Sequence, residues 1–220
     1  MSAASWLSRL VARGVRAPAD ARRWVVLDVE SSGLDPARDR LLAIAAIGVH
    51  LADDRAQIEL ADSFEVVLRQ PEHDVSADKA NILLHGIGVG AQRDGVAPAE
   101  ALDAFSRFVA QAPLLGFHVG FDRALIVRAC AQADRPAPRN RWLDLEPLAA
   151  VLHAQVKASA LDDWLAHFHI RCVRRHLAAA DALATAELLL HLWPLLRAER
   201  ATDIDAAIAL AGRRRWLAGA

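Results

Sequence analysis

The sequence predicts an α/β fold, in which strands form one sheet and helices pack against it. An apolar, valine-rich run at residues 24–27 is typical of a buried strand. Two further strand-like segments, 41–51 and 64–68, follow at short spacing, which favours an antiparallel meander. From residue 98 onward, segments with helical periodicity alternate with short apolar runs, which indicates strands covered by helices.

Composition and charge limit the classes of function. The 220 residues carry a net charge of −1, so no global basic field would draw the chain onto nucleic acid, and such binding must come from local patches or a metal. The two cysteines, Cys130 and Cys172, form neither a disulfide framework nor a Cys-x-x-Cys motif. This fits a reducing compartment and predicts a cytoplasmic location. No apolar run is expected to approach the length of a membrane span, so no membrane partner is predicted.

The two ends of the chain are predicted to be additions to one central domain, which covers residues 23–200. Residues 1–22 are expected to form an amphipathic helical extension. Their arginine-rich composition also fits a transit peptide, but a docking helix is the preferred interpretation. Residues 201–220 are predicted to form a short helix with a basic end.

The other elements of the domain follow from periodicity and from start and stop signals. Further strands are predicted at 114–117 and 142–145. Helices are predicted at 78–85, 98–111 and 121–133, from the fifth strand to about 153, as a short helix headed by Asp162 and Asp163, and in a long segment ending near 197. The glycine-rich string at 86–90 follows no strand and lacks a third glycine at the right offset, so it does not predict a dinucleotide site.

Two carboxylates stand one residue apart at the end of the first strand. Asp28 and Glu30 point to the same face, because side chains alternate along a strand. Like charges at the end of a buried strand are tolerated when a cation lies between them, and oxygen ligands suit Mg²⁺ or Mn²⁺. Ser31 and Ser32 then begin a turn in which Gly33 is expected to be free to take a positive φ.

A second Asp-x-Glu pair, Asp144 and Glu146, is a rival for this metal site. Its apolar lead-in is only two residues long and Pro147 follows at once, which favours a helix start instead. We therefore rank this pair below the first.

Three other polar residues have ordinary structural explanations when each is taken alone. Asp122 is expected in the first turn of a helix, where an acid complements the helix dipole. His176 and Asp181 are five residues apart, about 500° on one helix, so they would not share a face. Both reach one site only if His176 lies in a loop and Asp181 lies on the helix.

Taken together, these residues resemble the motifs of the DEDDh 3′–5′ exonucleases. This DnaQ-like family contains the epsilon proofreading subunit of bacterial replicases. The motifs read LDVESSG (27–33), GFHVGFDRALI (116–126) and RRHLAAADALAT (174–185), and the resemblance covers residues 23 to about 198. His85-Gly86-Ile87 resembles a short linking motif of the family. Because the chain contains no tyrosine, the sister subclass that uses Tyr in the role of this His is excluded.

The resemblance implies a ribonuclease H-like fold, with a mixed five-stranded sheet flanked by helices. It also implies a role for each site residue. Asp28 would bridge two Mg²⁺ or Mn²⁺ ions. Glu30 and Asp181 would complete the shell of the first ion, and Asp122 would support the second. His176 would act as the general base on the attacking water.

The resemblance also implies contacts to the terminal nucleotide. The main chain around Val29, Ser31 and Ser32 would hold it, and Leu34 and Phe117 would pack on its base. The two serines replace threonines of the family and keep the hydroxyl groups. His118 is a further predicted contact. The family often has Asn after this His, whereas this chain has Val119, a departure that concerns a side-chain contact to the substrate and not the metal site.

The predicted function is that of a metal-dependent 3′–5′ exonuclease acting on single-stranded or fraying DNA. One alternative is an exoribonuclease similar to ribonuclease T or oligoribonuclease. Another is a non-catalytic module that binds nucleic acid or a polymerase. The predicted partners are single-stranded 3′ ends and a DNA polymerase or sliding clamp. Residues 111–117 resemble a clamp-binding peptide, but they overlap the fourth strand, so burial explains them better. The sequence makes no prediction of the oligomeric state.

Overall fold

The computed structural model describes residues 22–75 and 78–214. The helix predicted at the N-terminus therefore lies outside the described residues, apart from Arg22. The same is true of the end of the predicted basic tail, residues 215–220.

One mixed sheet of five strands forms the centre of the molecule. The strands are β1 (Arg23–Ser31), β2 (Leu41–Leu51), β3 (Ala56–Val67), β4 (Leu114–Gly116) and β5 (Trp142–Asp144). Their order across the sheet is β3-β2-β1-β4-β5. The first three strands pair antiparallel, which confirms the predicted meander, whereas β4 runs parallel to β1 and β5 runs parallel to β4. The carboxyl ends of β1, β4 and β5 consequently meet at one edge.

Helices cover both faces of this sheet. They are α1 (Lys79–His85), α2 (Val89–Asp94), α3 (Pro98–Val109), α4 (Gly120–Gln132), α5 (Leu145–Leu152), α6 (Leu161–His167), α7 (Ala178–Ala198) and α8 (Ile204–Ala211). A 3₁₀ turn occupies Glu72–Asp74. The predicted mixed five-stranded sheet flanked by helices is confirmed.

Strand β1 is buried on both faces, and its alternation divides the core. Trp24 and Val26 join the cluster made with α5, α7 and α8. Val25, Leu27 and Val29 join the cluster made with α3 and α4. Because side chains alternate, the later residues of β1 that share a face with Trp24 lie on the α7 side of the sheet.

Helix α8 packs on the same core as α7. Its residues Ala207, Leu210 and Ala211 are buried in the cluster that contains Trp24. Arg214, just beyond α8, lies 3.3 Å from Glu146 at the start of α5, so part of the basic end is paired with an acid.

Helix α7 has the length and mean hydropathy of a membrane-spanning helix, so the expectation that no apolar run would reach that length was wrong. Its most apolar window has a mean hydropathy of 1.2, and 56% of that window is buried inside the fold. Packing against β1 and β2 accounts for its apolar character.

The main differences from the predicted elements lie at the edge of the sheet. Strand β3 begins at Ala56 and not at residue 64. Its first half is largely exposed, and the apolar residues there, Ile58 and Leu60, were not recognised as part of a strand. A bulge at Ile47/Gly48 lets the Asp62 carboxylate approach β2 so closely that a Cβ at Gly48 would lie 1.8 Å from Oδ2. The buried Arg23 of β1 holds this carboxylate through its Nε at 2.6 Å.

One additional helix and one helix boundary also differ from the prediction. Helix α2, Val89–Asp94, was not predicted; it begins inside the glycine-rich string at 86–90 and continues beyond it. The side-chain amide of its buried Gln92 donates to the Ile87 carbonyl at 3.2 Å. Helix α3 ends at Val109, two residues early, since Ala110 takes a φ of 46°. Strand β4 is fully buried, so the resemblance of residues 111–117 to a clamp-binding peptide reflects core packing.

Candidate active site

A cleft of about 1010 Å³ opens where the carboxyl ends of the parallel strands meet. The five residues predicted to carry the chemistry all line it: Asp28, Glu30, Asp122, His176 and Asp181. The residues predicted to contact the substrate line it as well: Val29, Ser31, Ser32, Leu34, Phe117 and His118. Segments that are far apart in the sequence therefore converge at one place.

Strand β1 presents Asp28 and Glu30 on the face that α7 covers. Glu30 is 9% exposed and accepts a hydrogen bond from the main-chain N–H of Ala178, the first residue of α7. Its Oε1 atom is buried and has no hydrogen-bond partner. Glu30 thus joins the strand to the helix N-terminus and keeps one oxygen unused.

Asp122 approaches the same point from the opposite side of the sheet. It lies in the first turn of α4, which follows β4, and it is 5% exposed. Main-chain N–H groups of Asp122 itself and of Val29 donate to its carboxylate. The hydrogen bond from Val29 ties the start of α4 to the end of β1.

His176 and Asp181 occupy the two positions that the sequence required. His176 lies in the loop before α7, is exposed and has a left-handed φ of 59°. Asp181 lies in the first turn of α7 and is 5% exposed. The main-chain N–H of His176 donates to Asp181 Oδ2 at 3.0 Å. His176, which would point away from Asp181 on a continuous helix, is thereby brought to the cleft.

Burial and mutual repulsion raise the pKa values of the carboxyl groups. Burial, followed by the charges of Asp122, Asp181 and Glu30, raises the pKa of Asp28 well above its ordinary value. Burial and then the Asp181 charge raise the pKa of Glu30 to about 7. Burial is also the main reason that the pKa of Asp122 rises to about 7. The cluster therefore has an excess of negative charge that a cation would relieve.

Arg175 is a cation in contact with this cluster, and it was not predicted as a site residue. Its guanidinium makes an ion pair with Asp181 through Nη1 and a hydrogen bond to Asp162 Oδ1 through Nε, at 2.5 Å. Its charge opposes the rise in pKa at Asp28 and Glu30.

The donor set fits hard divalent ions, although Asp181 is turned toward Arg175. Within residues 22–75 and 78–214, no three His, Cys, Asp or Glu side chains are close enough together to hold an ion as they stand. The four clustered acids nevertheless offer only oxygen ligands, and one buried Glu30 oxygen lacks a partner. These features suit Mg²⁺ or Mn²⁺ once Asp181 turns away from the arginine.

The turn after β1 is fixed by its own side chains. Ser31 Oγ donates to the Gly33 carbonyl at 2.5 Å, and Ser32 Oγ donates to Asp39 Oδ1 at 2.9 Å. Gly33 does not take the expected positive φ. Glycine is needed there for another reason: a Cβ would lie 2.5 Å from Asp39 Oδ2.

The main chain of this turn is only partly available to a nucleotide. The Ser32 N–H donates to the Arg40 carbonyl at 3.0 Å. The Ser31 carbonyl accepts a hydrogen bond at 3.1 Å from the side-chain amide of Asn81 on α1. Leu34 projects from the turn with 91% of its surface exposed.

Asp144, from the rival Asp-x-Glu pair, holds the opposite lip of the cleft. Its Oδ1 accepts the N–H of His118 at 2.9 Å and the N–H of Glu146 at 3.0 Å. It thereby caps α5 and secures the left-handed His118, whose φ is 56°. The His118 ring lies edge-on to the half-buried Phe117 and within 3.1 Å of the Ser159 carbonyl.

Sequence reasoning missed three residues that shape the cleft: Asn81, Asp144 in its supporting role, and Arg175. Arg175 stands next to His176 in a run of arginines, and this adjacency was the available signal. Asn81 and Asp144 act through tertiary hydrogen bonds to segments 26 or more residues away, which local pattern does not reveal.

Comparison with known proteins gives one family match. The family model described as "Exonuclease" (RNase_T) matches residues 25–189. The DNA polymerase III PolC-type protein of Latilactobacillus sakei is 29% identical over 79% of the chain, which covers 11% of that protein. The DNA polymerase III subunit epsilon-like protein of Rhodobacter capsulatus is 29% identical over 87% of the chain, which covers 26% of that protein. The chain therefore spans about a quarter or less of these relatives.

Solved structures with a similar fold are nucleases or are described with bound metal. E. coli ExoI in its zinc-bound complex with single-stranded DNA aligns with a TM-score of 0.65 and 18% identity, over 78% of this chain and 40% of that one. The nuclease domain of 3′hExo, a DEDDh family member bound to rAMP, aligns with a TM-score of 0.67 and 13% identity. The alignment covers 81% of this chain and 94% of that one. S. pombe Pop2p in its Mg²⁺- and Mn²⁺-bound form aligns with a TM-score of 0.63 and 16% identity. The alignment covers 93% of this chain and 92% of that one.

Proposed function

The chain belongs to the exonuclease family, and from this premise we propose that it is a metal-dependent 3′–5′ exonuclease acting on single-stranded or fraying DNA. The reaction would be hydrolysis of the terminal phosphodiester bond. One observation carries the proposal: four acidic side chains and an exposed imidazole from four separate segments line a single cleft.

The four acids would bind the metal ions. Asp28 stands at the centre, because the charges of Glu30, Asp122 and Asp181 all act on it. We assign Glu30 and Asp181 to one ion and Asp122 to the other, with Asp28 shared. Two divalent ions, when bound, supply an acidified water and neutralise charge on the phosphate.

His176 would take the proton from the attacking water. Its ring is exposed at the cleft, and its backbone is held by Asp181. A neutral imidazole has a free ring nitrogen that can accept a proton from water, which makes it a suitable general base. The exposed position allows the ring to pass the proton on to solvent.

The rim of the cleft would hold the terminal nucleotide. Leu34 is highly exposed on one side, and Phe117 is half-buried on the other. Apolar and aromatic side chains pack on unpaired bases regardless of sequence, which favours single-stranded ends. The net charge of −1 agrees with recognition by the cleft instead of by a basic surface.

The second candidate is an exoribonuclease. The similar nuclease domain of 3′hExo is described with rAMP bound, so the fold accommodates a ribonucleotide in that protein. Stacking and phosphate contacts tolerate either sugar, and only a contact to the 2′-hydroxyl would discriminate RNA from DNA. The polymerase III names of the relatives favour DNA, and they also favour a polymerase partner and a cytoplasmic location for this chain.

The test is a nuclease assay on the full chain with three labelled substrates: single-stranded DNA, a mismatched duplex and single-stranded RNA. Each would be incubated with Mg²⁺ or Mn²⁺, or with EDTA. With the label at the 5′ end, we expect a ladder of products shortened from the 3′ end, formed only with metal.

Two variants make the assay specific. Asp28→Ala should abolish the ladder, whereas Asp54→Asn, which removes an exposed acid in the β2–β3 turn, should leave it unchanged. Loss of nucleotides from the 5′ end only would overturn the assignment. Full activity in the Asp28→Ala variant would also overturn the assignment. A non-catalytic module would give no ladder, and its calorimetric titration with Mn²⁺ would not differ between the native chain and Asp28→Asn.

A further inference from the structure

Arg175 bridges two acids that lie on different helices. Its Nε donates to Asp162 Oδ1 in the first turn of α6, and its Nη1 pairs with Asp181 Oδ1 in the first turn of α7. The two partners differ in environment. The Asp181 side chain is 7% exposed, the Asp162 side chain is 65% exposed, and that of Arg175 is 28% exposed. The guanidinium therefore reaches from the protein surface into the cleft.

Both oxygens of Asp181 are engaged in this arrangement. Oδ2 accepts the N–H of His176, while Oδ1 meets Arg175 and also accepts a long hydrogen bond from the Cys172 thiol at 3.4 Å. An incoming metal ion needs one of these oxygens. Because the bond to His176 also positions the loop, Oδ1 is the oxygen that can be released at lower cost to the site.

We propose that Arg175 is an internal counter-ion of the carboxylate cluster, which a divalent ion displaces from Asp181 while it stays paired with Asp162. This inference rests on the proposed function. It adds a residue that regulates metal loading by competing directly with the ion for Asp181 Oδ1. Asp162 is the alternative partner that keeps the displaced guanidinium close to the cleft.

This ion pair explains why, in residues 22–75 and 78–214, no three of the acids stand close enough together to hold an ion. A guanidinium is planar and presents its N–H groups in a fixed fork, so it satisfies carboxylates on two sides at once. Asp181 is consequently held by Arg175 through Oδ1. Removing the guanidinium frees Asp181, while removing Asp162 leaves the displaced guanidinium without its second acid.

The experiment is calorimetric titration of the full chain with Mn²⁺, comparing the native chain with Arg175→Gln, Asp162→Asn and Arg174→Gln. Arg175→Gln should bind Mn²⁺ about threefold to tenfold more tightly, since a competing ion pair is lost. Asp162→Asn should bind it about twofold to threefold more weakly, because displaced Arg175 then has no acid to receive it.

Arg174→Gln is the matched control. It removes the same charge from the neighbouring position. The Arg174 side chain is exposed and lies beside Gly86, where an added Cβ would be 3.6 Å from its Nη2. Its Mn²⁺ affinity should stay within about twofold of the native value, as expected for a screened surface charge. If Arg174→Gln tightens binding as much as Arg175→Gln does, a general charge effect replaces the direct contact and the proposal is overturned.

Thermal unfolding supplies a second readout that does not depend on activity. In EDTA, Arg175→Gln should melt about 2–4 °C below the native chain, because the acids lose their counter-ion. In saturating Mn²⁺ the two should melt together. A native chain that binds no Mn²⁺ would overturn both the proposed function and this inference. A native chain that binds Mn²⁺ with unchanged or weaker affinity in Arg175→Gln would overturn this inference alone.

Discussion

The main-chain N–H of His176 donates to Asp181 Oδ2 across 3.0 Å, so a loop residue and a helix residue form one unit of the cleft. Helix α7 is anchored in the core by residues further along its length, including Leu188, Leu189 and Leu192. The position of the imidazole is thus set by a buried helix, although the ring itself is exposed.

The first prediction concerns the general base. His176→Ala should lower the single-turnover rate by about 10²–10⁴-fold, the usual contribution of a positioned base. Mn²⁺ affinity should be retained, because the backbone N–H that holds Asp181 is still present. Rapid-quench kinetics and calorimetry measure the two quantities.

His73→Ala is the control for this variant, since that imidazole is exposed on the 3₁₀ turn and does not line the cleft. It should match the native rate. If His176→Ala loses Mn²⁺ binding together with activity, the residue serves the metal site and not proton transfer.

The second prediction is a pH dependence of stability in EDTA. The pKa of Glu30 is about 7 in the folded chain against an ordinary value of 4.5, so the folded state binds this proton more tightly than the unfolded state. The resulting stabilisation is complete below about pH 4.5 and is lost as pH rises through 7. The free energy of unfolding should fall over this window by an amount on the order of 3 kcal/mol for Glu30 alone.

Urea denaturation at pH 5, 6, 7 and 8 measures this slope. Glu30→Gln keeps the shape and removes the titration, so its slope should be clearly flatter. Saturating Mn²⁺ should also flatten the slope for the native chain. An identical slope in Glu30→Gln would show that the group titrates normally in the folded state.

The third prediction concerns Asp144 as the anchor of the cleft lip. Asp144→Ala removes the acceptor for main-chain N–H groups of His118, Val119 and Glu146, and leaves α5 without its cap. The free energy of unfolding should fall by about 1–2 kcal/mol. Asp144→Asn keeps an oxygen in the same place and should lose less than half as much. Denaturant titration measures the free energy of unfolding of both variants. Equal losses would mean that the charge of Asp144, and not its hydrogen-bond acceptor, stabilises the fold.

The fourth prediction concerns Asn81, which ties α1 to the end of β1. Asn81→Ala removes its hydrogen bond to the Ser31 carbonyl and should cost about 0.5–1.5 kcal/mol of stability. Lys79→Ala, an exposed change on the same helix, should cost much less. We also expect Asn81→Ala to raise the KM for an oligonucleotide, because the turn that meets the substrate loses a support. An unchanged KM would limit Asn81 to stability.

The sequence was most informative where chemistry is local to a strand or a helix start. The alternation of β1 predicts that Asp28 and Glu30 share a face, and the five-residue spacing of His176 and Asp181 requires a loop followed by a helix; both arrangements are found. The resemblance to the DEDDh family is confirmed by the exonuclease family match over residues 25–189. The roles assigned to the individual residues remain predictions.

The sequence was least informative where the environment decides. The first half of β3 lies at an exposed edge of the sheet and buries little of its apolar surface, so its length depends on pairing with β2. Arg175 looked like one member of a basic run, and only the fold places it between Asp162 and Asp181. Asp144 appeared to be a rival ligand, whereas its carboxylate is used to hold the main chain of His118.

The left-handed backbone of His118 and His176, with φ values of 56° and 59°, affects how mutagenesis of this cleft should be interpreted. An alanine scan would delete each ring but retain a conformation that costs an L-residue about 1–2 kcal/mol, whereas glycine adopts it freely. Paired alanine and glycine replacements at each position would therefore distinguish what the imidazole contributes to turnover from what its backbone costs the fold.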